Sequence, residues 1–331
     1  MKAVLMTDVG SVDVLQMVEI KQPEIALATE VKIQIKAAGV NPIDTKVRTK
    51  GTFYQQSLPV VLGCDGSGVI TEVGSSVSNF KVGDDVWFCH GGLGKEQGNY
   101  AEYIVIDCRW LAAKPKTSSY IEAAAMPLVL ITAWGALFDK GHLQEGETVL
   151  IHAGAGGVGH IAIQLAKLKG AKVITTVSSD IKADFVKSIG ADYAINYTEN
   201  GFVDEVNRIT EGKGVDLTID TVGGNVFKES IAATAYFGRL ITLLDPGELS
   251  FSEARMKNLL IGFELMLTPL LKELDTEREK QIKILQQGAK WVDEGGLNIH
   301  ISEVLSLEQA SLAHEKIELG HVMGKIVLEN N

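Results

Sequence analysis

Apolar and polar residues change their rhythm twice along this chain. Up to about residue 122 the pattern is that of strands. Val31-Lys32-Ile33-Gln34-Ile35-Lys36-Ala37 alternates apolar and polar, as a half-buried strand does, and Gly68-Val69-Ile70-Thr71-Glu72-Val73-Gly74 is a short apolar run bounded by glycines. Asp85-Val86-Trp87-Phe88 and Ala101-Glu102-Tyr103-Ile104-Val105-Ile106 add two more. Short strands at close spacing with Gly-rich turns predict a small barrel or sandwich. From about residue 123, strands alternate with helices. Thr148–Ala153, Lys172–Val177, Val215–Asp220 and Gly238–Leu244 read as strands. Val158–Leu168 and Ile181–Ile189 read as helices ended by Gly170 and Gly190. That alternation predicts a parallel, doubly wound α/β sheet. Glu264–Glu294 reads as mainly helical, with breaks near Pro269 and Leu274-Asp275-Thr276. After Gly295-Gly296, Ile299-His300-Ile301 and Lys325–Leu328 read as strands that rejoin the first part.

The length, 331 residues, suits about two domains. Lys and Arg total 31 against 42 Asp and Glu, a net charge of −11. Such a chain repels a phosphate backbone, so nucleic acid is not an expected partner. Two long runs lack formal charge, Ala123–Phe138 and Thr148–Ala166. Proline, glycine and histidine interrupt them, so both read as buried core and no membrane span is expected. The chain reaches Asp8 too early for a signal peptide, and the cytoplasm is the expected compartment. Cys64, Cys89 and Cys108 form no CxxC pair and read as reduced thiols.

Glycine is enriched, at 34 residues, and its clustering matters more than its number. Gly154-Ala155-Gly156-Gly157-Val158-Gly159 has the form G-x-G-x-x-G, directly after a predicted strand and opening a predicted helix. The first glycine permits the tight turn, the second lets backbone approach a pyrophosphate, and the third lets helix and strand pack closely. The phosphates then face the helix N-terminus, whose free N–H groups and dipole favour negative charge. An NAD site usually carries Asp or Glu about 20 residues on, for the ribose 2′-hydroxyl. Here the second strand ends Thr176-Val177-Ser178-Ser179, with no acid at its tip; Asp180 follows a little later, then Lys182. Hydroxyls and a cation suit a 2′-phosphate, so NADPH is the expected cofactor.

Other segments carry a resemblance. Ala38-Gly39-Val40-Asn41-Pro42-Ile43-Asp44, Leu62-Gly63-Cys64-Asp65-Gly66-Ser67-Gly68 and Val82-Gly83-Asp84-Asp85-Val86 come first. Ile131-Thr132-Ala133-Trp134, the glycine loop and Gly190-Ala191-Asp192-Tyr193-Ala194-Ile195-Asn196-Tyr197 follow. Asp220-Thr221-Val222-Gly223-Gly224 and Gly324-Lys325-Ile326-Val327-Leu328 complete the series. In this order, over nearly the whole chain, they resemble the zinc-independent quinone oxidoreductase branch of the medium-chain dehydrogenase/reductase superfamily. The resemblance implies a GroES-like substrate domain, residues 1–124 with 298–331, and a Rossmann NADP-binding domain, residues 125–297. It places the active site in the cleft between them and implies a homodimer. Zinc-bearing relatives have a cysteine ligand near position 41 and Gly-His-Glu near position 63. Asn41-Pro42 and Gly63-Cys64-Asp65 stand there instead, and no metal is expected.

Site residues follow from the same resemblance. Asn41 either donates a hydrogen bond to the substrate oxygen or orders the turn before Pro42. The family's aromatic hydroxyl falls by spacing on Phe53, so Tyr54 beside it stands in as proton donor, with solvent as the alternative. Thr132, Ser178, Ser179, Lys182, Tyr197, Thr221, Val222, Gly223, Leu243, Leu244 and Lys325 join Gly154, Gly156, Gly157, Val158 and Gly159 as cofactor residues. His90 sits in a glycine-rich loop that could border the cleft, and His152 reads as a core residue. The expected activity is hydride transfer to a quinone or an α,β-unsaturated carbonyl compound. The competing reading is an NADPH-binding sensor or structural protein with little catalysis.

Overall fold

The computed structural model describes every residue except Gln56, Asn200 and Asn331. The chain divides into two compact units, Met1–Leu128 with Leu267–Asn331, and Val129–Met266.

The first unit is built on the long strand Glu30–Val40. Its alternating residues Val31, Ile33 and Ile35 enter a core with Ile70, Val86, Phe88, Ile104 and Ile106. This strand pairs antiparallel with Asp65–Val73, Tyr103–Asp107 and the C-terminal strand Lys325–Glu329. Among the described residues the sheet holds seven strands, six on one path and Tyr103–Asp107 beside Glu30–Val40. A smaller three-stranded sheet begins with Lys2–Met6 and Leu15–Glu19, a hairpin the rhythm did not reveal. The last strands rejoin this unit as expected, though the first of them runs Ile301–Ser306 rather than from Ile299.

The helical segment after residue 266 groups with this unit, where the sequence reading placed 125–297 in the other. Contacts of the helix Asp275–Asp293 explain this. The Arg278 guanidinium stacks on Trp110 at 4.0 Å and reaches His90 Nδ1 at 2.9 Å. Asp275 pairs with Arg109 at 3.0 Å, and Asp293 Oδ1 accepts from Thr117 N and Oγ1, each at 3.0 Å. Ile282 packs on the core around Ile33.

The second unit is a six-stranded parallel sheet among the described residues. Its order is Tyr193–Asn196, Lys172–Val177, Thr148–Ile151, Val215–Asp220, Thr234–Thr242, Leu260–Phe263. Its central strands are apolar runs buried on both faces, as covered parallel strands are. The first strand stops at Ile151 because Ala153 adopts φ 50°, opening the glycine turn. The fifth begins at Thr234, four residues before Gly238. Its register shifts between Val215 and Leu217, and Phe237 takes φ 61°, so the apparent start is a bulge. No helix is long and apolar enough to cross a membrane among the described residues.

Candidate active site

Most of the proposed cofactor residues gather at one edge of the second unit, just past the C-terminal ends of its strands. Open α/β sheets bind ligands along that edge, where the strand order reverses. The reversal here lies at Thr148–Ile151, with Lys172–Val177 on one side and Val215–Asp220 on the other. The glycine turn is tied to both neighbours: His152 N donates to Ile219 O at 3.0 Å, and Gly154 N to Thr176 O at 3.0 Å. Its glycines answer different demands. A Cβ at Gly154 would lie 2.0 Å from Thr175 Oγ1, and one at Gly159 would lie 2.3 Å from Ala153 O, so both are required by packing. A Cβ at Gly156 would meet only Ala153 O, at 3.2 Å. Packing therefore does not demand the second glycine. Its bare backbone caps the helix Gly157–Leu168, whose first N–H groups, Gly157, Val158 and Gly159 among them, lack helical acceptors. This fits a pyrophosphate.

At the next two strand ends, Lys182 Nζ donates to Ser178 Oγ at 3.2 Å and Ser179 Oγ accepts from Lys182 N at 3.4 Å, capping the helix Asp180–Ser188. Tyr197, 53% exposed, is held alongside by its N–H to Val177 O at 3.1 Å. The Asp180 carboxylate takes Asn196 Nδ2 at 3.4 Å.

On the other side, Thr221 Oγ1 donates to His152 O at 2.8 Å. Buried Asp220 organises this loop: its Oδ1 accepts from Val222 N and Gly223 N, each at 2.9 Å, and its Oδ2 from Thr242 Oγ1 at 2.8 Å. Thr242 Oγ1 also accepts from Leu244 N at 3.2 Å, which turns Leu243 and Leu244 out of the strand. Asp220 escaped the sequence reading because a strand-terminal carboxylate shows no sign of which N–H groups it will meet. Thr132 is buried in the helix Pro127–Trp134. His152 is a core residue as expected, bonded to Thr176 Oγ1 at 3.1 Å and Ser230 Oγ at 2.9 Å; burial lowers its pKa to about 4.

Asn41 and Lys325 belong to the first unit, in a buried charged cluster. Asn41 starts the helix Pro42–Lys50. Its N–H donates to Asp44 Oδ2 at 2.9 Å, and Asp44 N returns a bond to Asn41 O at 3.0 Å. The Asn41 side chain spans two charges. Nδ2 donates to Asp65 Oδ2 at 2.9 Å, and Oδ1 accepts from Lys325 Nζ. An ammonium has no acceptor and a carboxylate no donor, so the amide orientation is fixed. Lys325 Nζ also donates to Val40 O at 2.8 Å and lies 3.9 Å from Asp65. Lys325, grouped by resemblance with the cofactor residues, thus has its charge committed inside the first unit. Asp65 Oδ1 accepts from Leu128 N at 2.9 Å, and Asp44 Oδ2 from Tyr100 OH at 2.9 Å. Burial pushes Asp65 up to about 6 and Asp44 up to about 7, and it lowers Lys325. Burial also holds the Cys64 and Cys89 thiols well above their ordinary range.

Tyr54 stands apart from this cluster. It is half-buried, and its hydroxyl lies 3.5 Å from Leu271 O. His90 is buried, and burial followed by Arg278 lowers its pKa to about 3, so it stays neutral. No group of three His, Cys, Asp or Glu residues suited to a metal ion occurs among the described residues.

Comparison with known proteins agrees with this architecture. Residues 27–116 match the family described as alcohol dehydrogenase GroES-like domain, and residues 189–328 match that described as zinc-binding dehydrogenase. The chain is 40% identical over 234 residues to 2-methylene-furan-3-one reductase of Solanum lycopersicum, covering 67% of this chain and 57% of that longer protein. It is 30% identical to the quinone oxidoreductase of Rattus norvegicus, over 99% of this chain and 97% of the relative. The crystal structure of Escherichia coli quinone oxidoreductase complexed with NADPH superposes with a TM-score of 0.88 at 29% identity, covering 100% of both chains. The first unit is accordingly GroES-like and the second a Rossmann-type parallel sheet. The chain belongs to the medium-chain dehydrogenase/reductase superfamily of oxidoreductases, and its relatives named quinone oxidoreductase fit the branch without zinc.

Proposed function

We propose that this chain is an NADPH-dependent reductase that delivers a hydride to a quinone or to the β-carbon of an α,β-unsaturated carbonyl compound, without zinc. The observation that carries the cofactor reading is the Lys182–Ser178 bond beside Tyr197, past a strand tip that bears no carboxylate. A hydroxyl and an ammonium complement a 2′-phosphate, which a carboxylate would repel. NADPH, when bound, supplies the hydride; the chain binds it, orients it and excludes water. The glycine turn takes the pyrophosphate, and Asp220 holds the Thr221–Gly223 backbone in place along the same edge.

Conjugated acceptors suit a site without a Lewis acid, because conjugation carries the new charge to an oxygen that N–H and O–H donors can meet. The proposed donors are Asn41 Nδ2, through the hydrogen that Asp65 does not take, and the Tyr54 hydroxyl. Asn41 has no exposed surface, so an acceptor reaches it only when neighbouring segments part. Its turn-ordering role is already in place. Zinc independence is supported by the groups present. Cys64 is kept protonated by burial, and a divalent cation beside Asn41 and Asp65 would meet the Lys325 charge.

The same reading includes a cytoplasmic homodimer. The edge strand Leu260–Phe263 pairs on one side only among the described residues, and Leu260, Phe263 and Leu265 are 55%, 57% and 54% exposed. A bare apolar edge of this kind suits pairing with a second copy. The test is NADPH oxidation followed by absorbance, with a quinone and an unsaturated ketone side by side and chelator present. Stimulation by either acceptor is expected. Tight NADPH binding with no stimulated oxidation would instead select a binding or sensing role.

A further inference from the structure

Glu264 follows the edge strand Leu260–Phe263, and its N–H donates to Thr242 O at 3.0 Å. It therefore stands on the same sheet edge as Leu243 and Leu244. Its carboxyl lies over Gly135, where a Cβ would fall 2.6 Å from Glu264 Oε2. Gly135 is three residues beyond Thr132, so the two share a helix face. It opens the π-helical stretch Gly135–Lys140, a distortion often found at functional sites. Glu264 has no salt-bridge partner among the described residues; the charged groups facing it are Lys140 and Asp139 of that stretch.

The sheet order says what else lies near. The proposed phosphate contacts occupy the ends of the strands Tyr193–Asn196, Lys172–Val177 and Thr148–Ile151. A dinucleotide anchored there extends its nicotinamide end over Val215–Asp220 and Thr234–Thr242. Strands lie about 4.8 Å apart, which brings Glu264 within roughly 5–10 Å of that end.

We propose that the Glu264 carboxylate favours the oxidised nicotinamide over the reduced one and thereby assists hydride departure. This rests on the dinucleotide reading above. The oxidised ring carries a positive charge that the reduced ring lacks. At such a separation in a partly buried setting, the attraction amounts to about a factor of ten in affinity. Glu264 exchanges no atom in the step. The hydride carries two electrons from the ring carbon to the acceptor, which is reduced and takes its proton from the Tyr54 hydroxyl or from solvent. Burial raises the Glu264 pKa to about 7, with Lys140 lowering it and Asp139 raising it, so the carboxylate forms across the neutral range.

The experiment measures Kd for NADP⁺ and NADPH at pH 5.5 and 8.5 in wild type, Glu264→Gln and Gly135→Ala. Titration of the 2′-phosphate is common to both forms and cancels in the ratio Kd(NADP⁺)/Kd(NADPH). In wild type that ratio should fall about tenfold from pH 5.5 to 8.5. Glu264→Gln should hold it flat. Gly135→Ala, which pushes the carboxyl aside, should show a smaller fall than wild type, and it decides the matter if the glutamine variant does not fold. A flat wild-type ratio, or a fall that survives both substitutions, overturns the inference. Binding of neither form to the wild type overturns the cofactor reading, and the inference with it.

Discussion

Replacing Lys325 by methionine removes the ammonium from a cluster in which Asp65 has no exposed surface and Lys325 is 3% exposed. Asp65 keeps its bonds from Asn41 Nδ2 and Leu128 N but loses its compensating charge, and Asn41 Oδ1 loses its donor. Breaking a buried pair by deleting one partner costs about 3–5 kcal/mol. For a unit of this size, at roughly 2–4 °C per kcal/mol, the melting temperature should fall by roughly 6–20 °C at pH 8. The pH dependence makes this diagnostic. Burial raises Asp65 from 3.8 to about 6 in the folded protein. A carboxyl raised in this way adds stability that is complete below its unfolded pKa and is lost as pH rises through the folded value. At pH 5 Asp65 takes a proton and no longer needs the ammonium, so the gap between wild type and Lys325→Met should shrink. Asp65→Asn with Lys325→Met should recover most of the pH 8 loss, since it leaves no buried charge at either position. The assay is thermal unfolding by circular dichroism at pH 5 and pH 8. A loss equal at both pH values, or below about 1 kcal/mol at pH 8, would refute the reasoning.

Three further outcomes follow from the same geometry. Lys182→Ala removes the ammonium bonded to Ser178 and should weaken NADPH about 10–100-fold in a fluorescence titration, with NADH affinity unchanged. Gly156→Ala should melt close to wild type yet bind NADPH at least tenfold less well, whereas Gly159→Ala, whose methyl would meet Ala153 O at 2.3 Å, should lower the melting temperature before any ligand is added. Phe263→Asp, a charge on the exposed edge strand, should shift the protein from dimer to monomer in light scattering; an unchanged mass would argue against that interface.

Local pattern made the second unit legible. Val149, Leu150, Ile151, Val173 and Ile174 are buried apolar runs flanked by glycine, and burial on both faces is what such runs mean. The glycine motif was equally readable, because its three glycines recur at fixed spacing directly between a strand and a helix, even though Thr175, which Gly154 must clear, lies outside the motif. Burial of charge was not readable. Asn41 and Lys325 are 284 positions apart, and a lone lysine before Ile326-Val327-Leu328 has the look of a strand-end surface residue until Asp65 is placed beside it. The helix Asp275–Asp293 shows the same limit. Its apolar stripe announces that one face is covered, but contacts such as Arg278 on Trp110 and Asp293 on Thr117 are needed to say by which unit. Glu264 was passed over for a related reason: nothing in Gly262-Phe263-Glu264 foretells that Gly135 leaves room for its carboxyl.

The central claim, a metal-independent reductase specific for NADPH, is tested most directly by kcat/KM for NADPH and for NADH. Both should be measured with one saturating quinone or enone in a metal-depleted preparation. The account predicts turnover with both chelator and acceptor present, and a preference for NADPH of at least tenfold. Preference for NADH, or activity that appears only when zinc is restored, would contradict it.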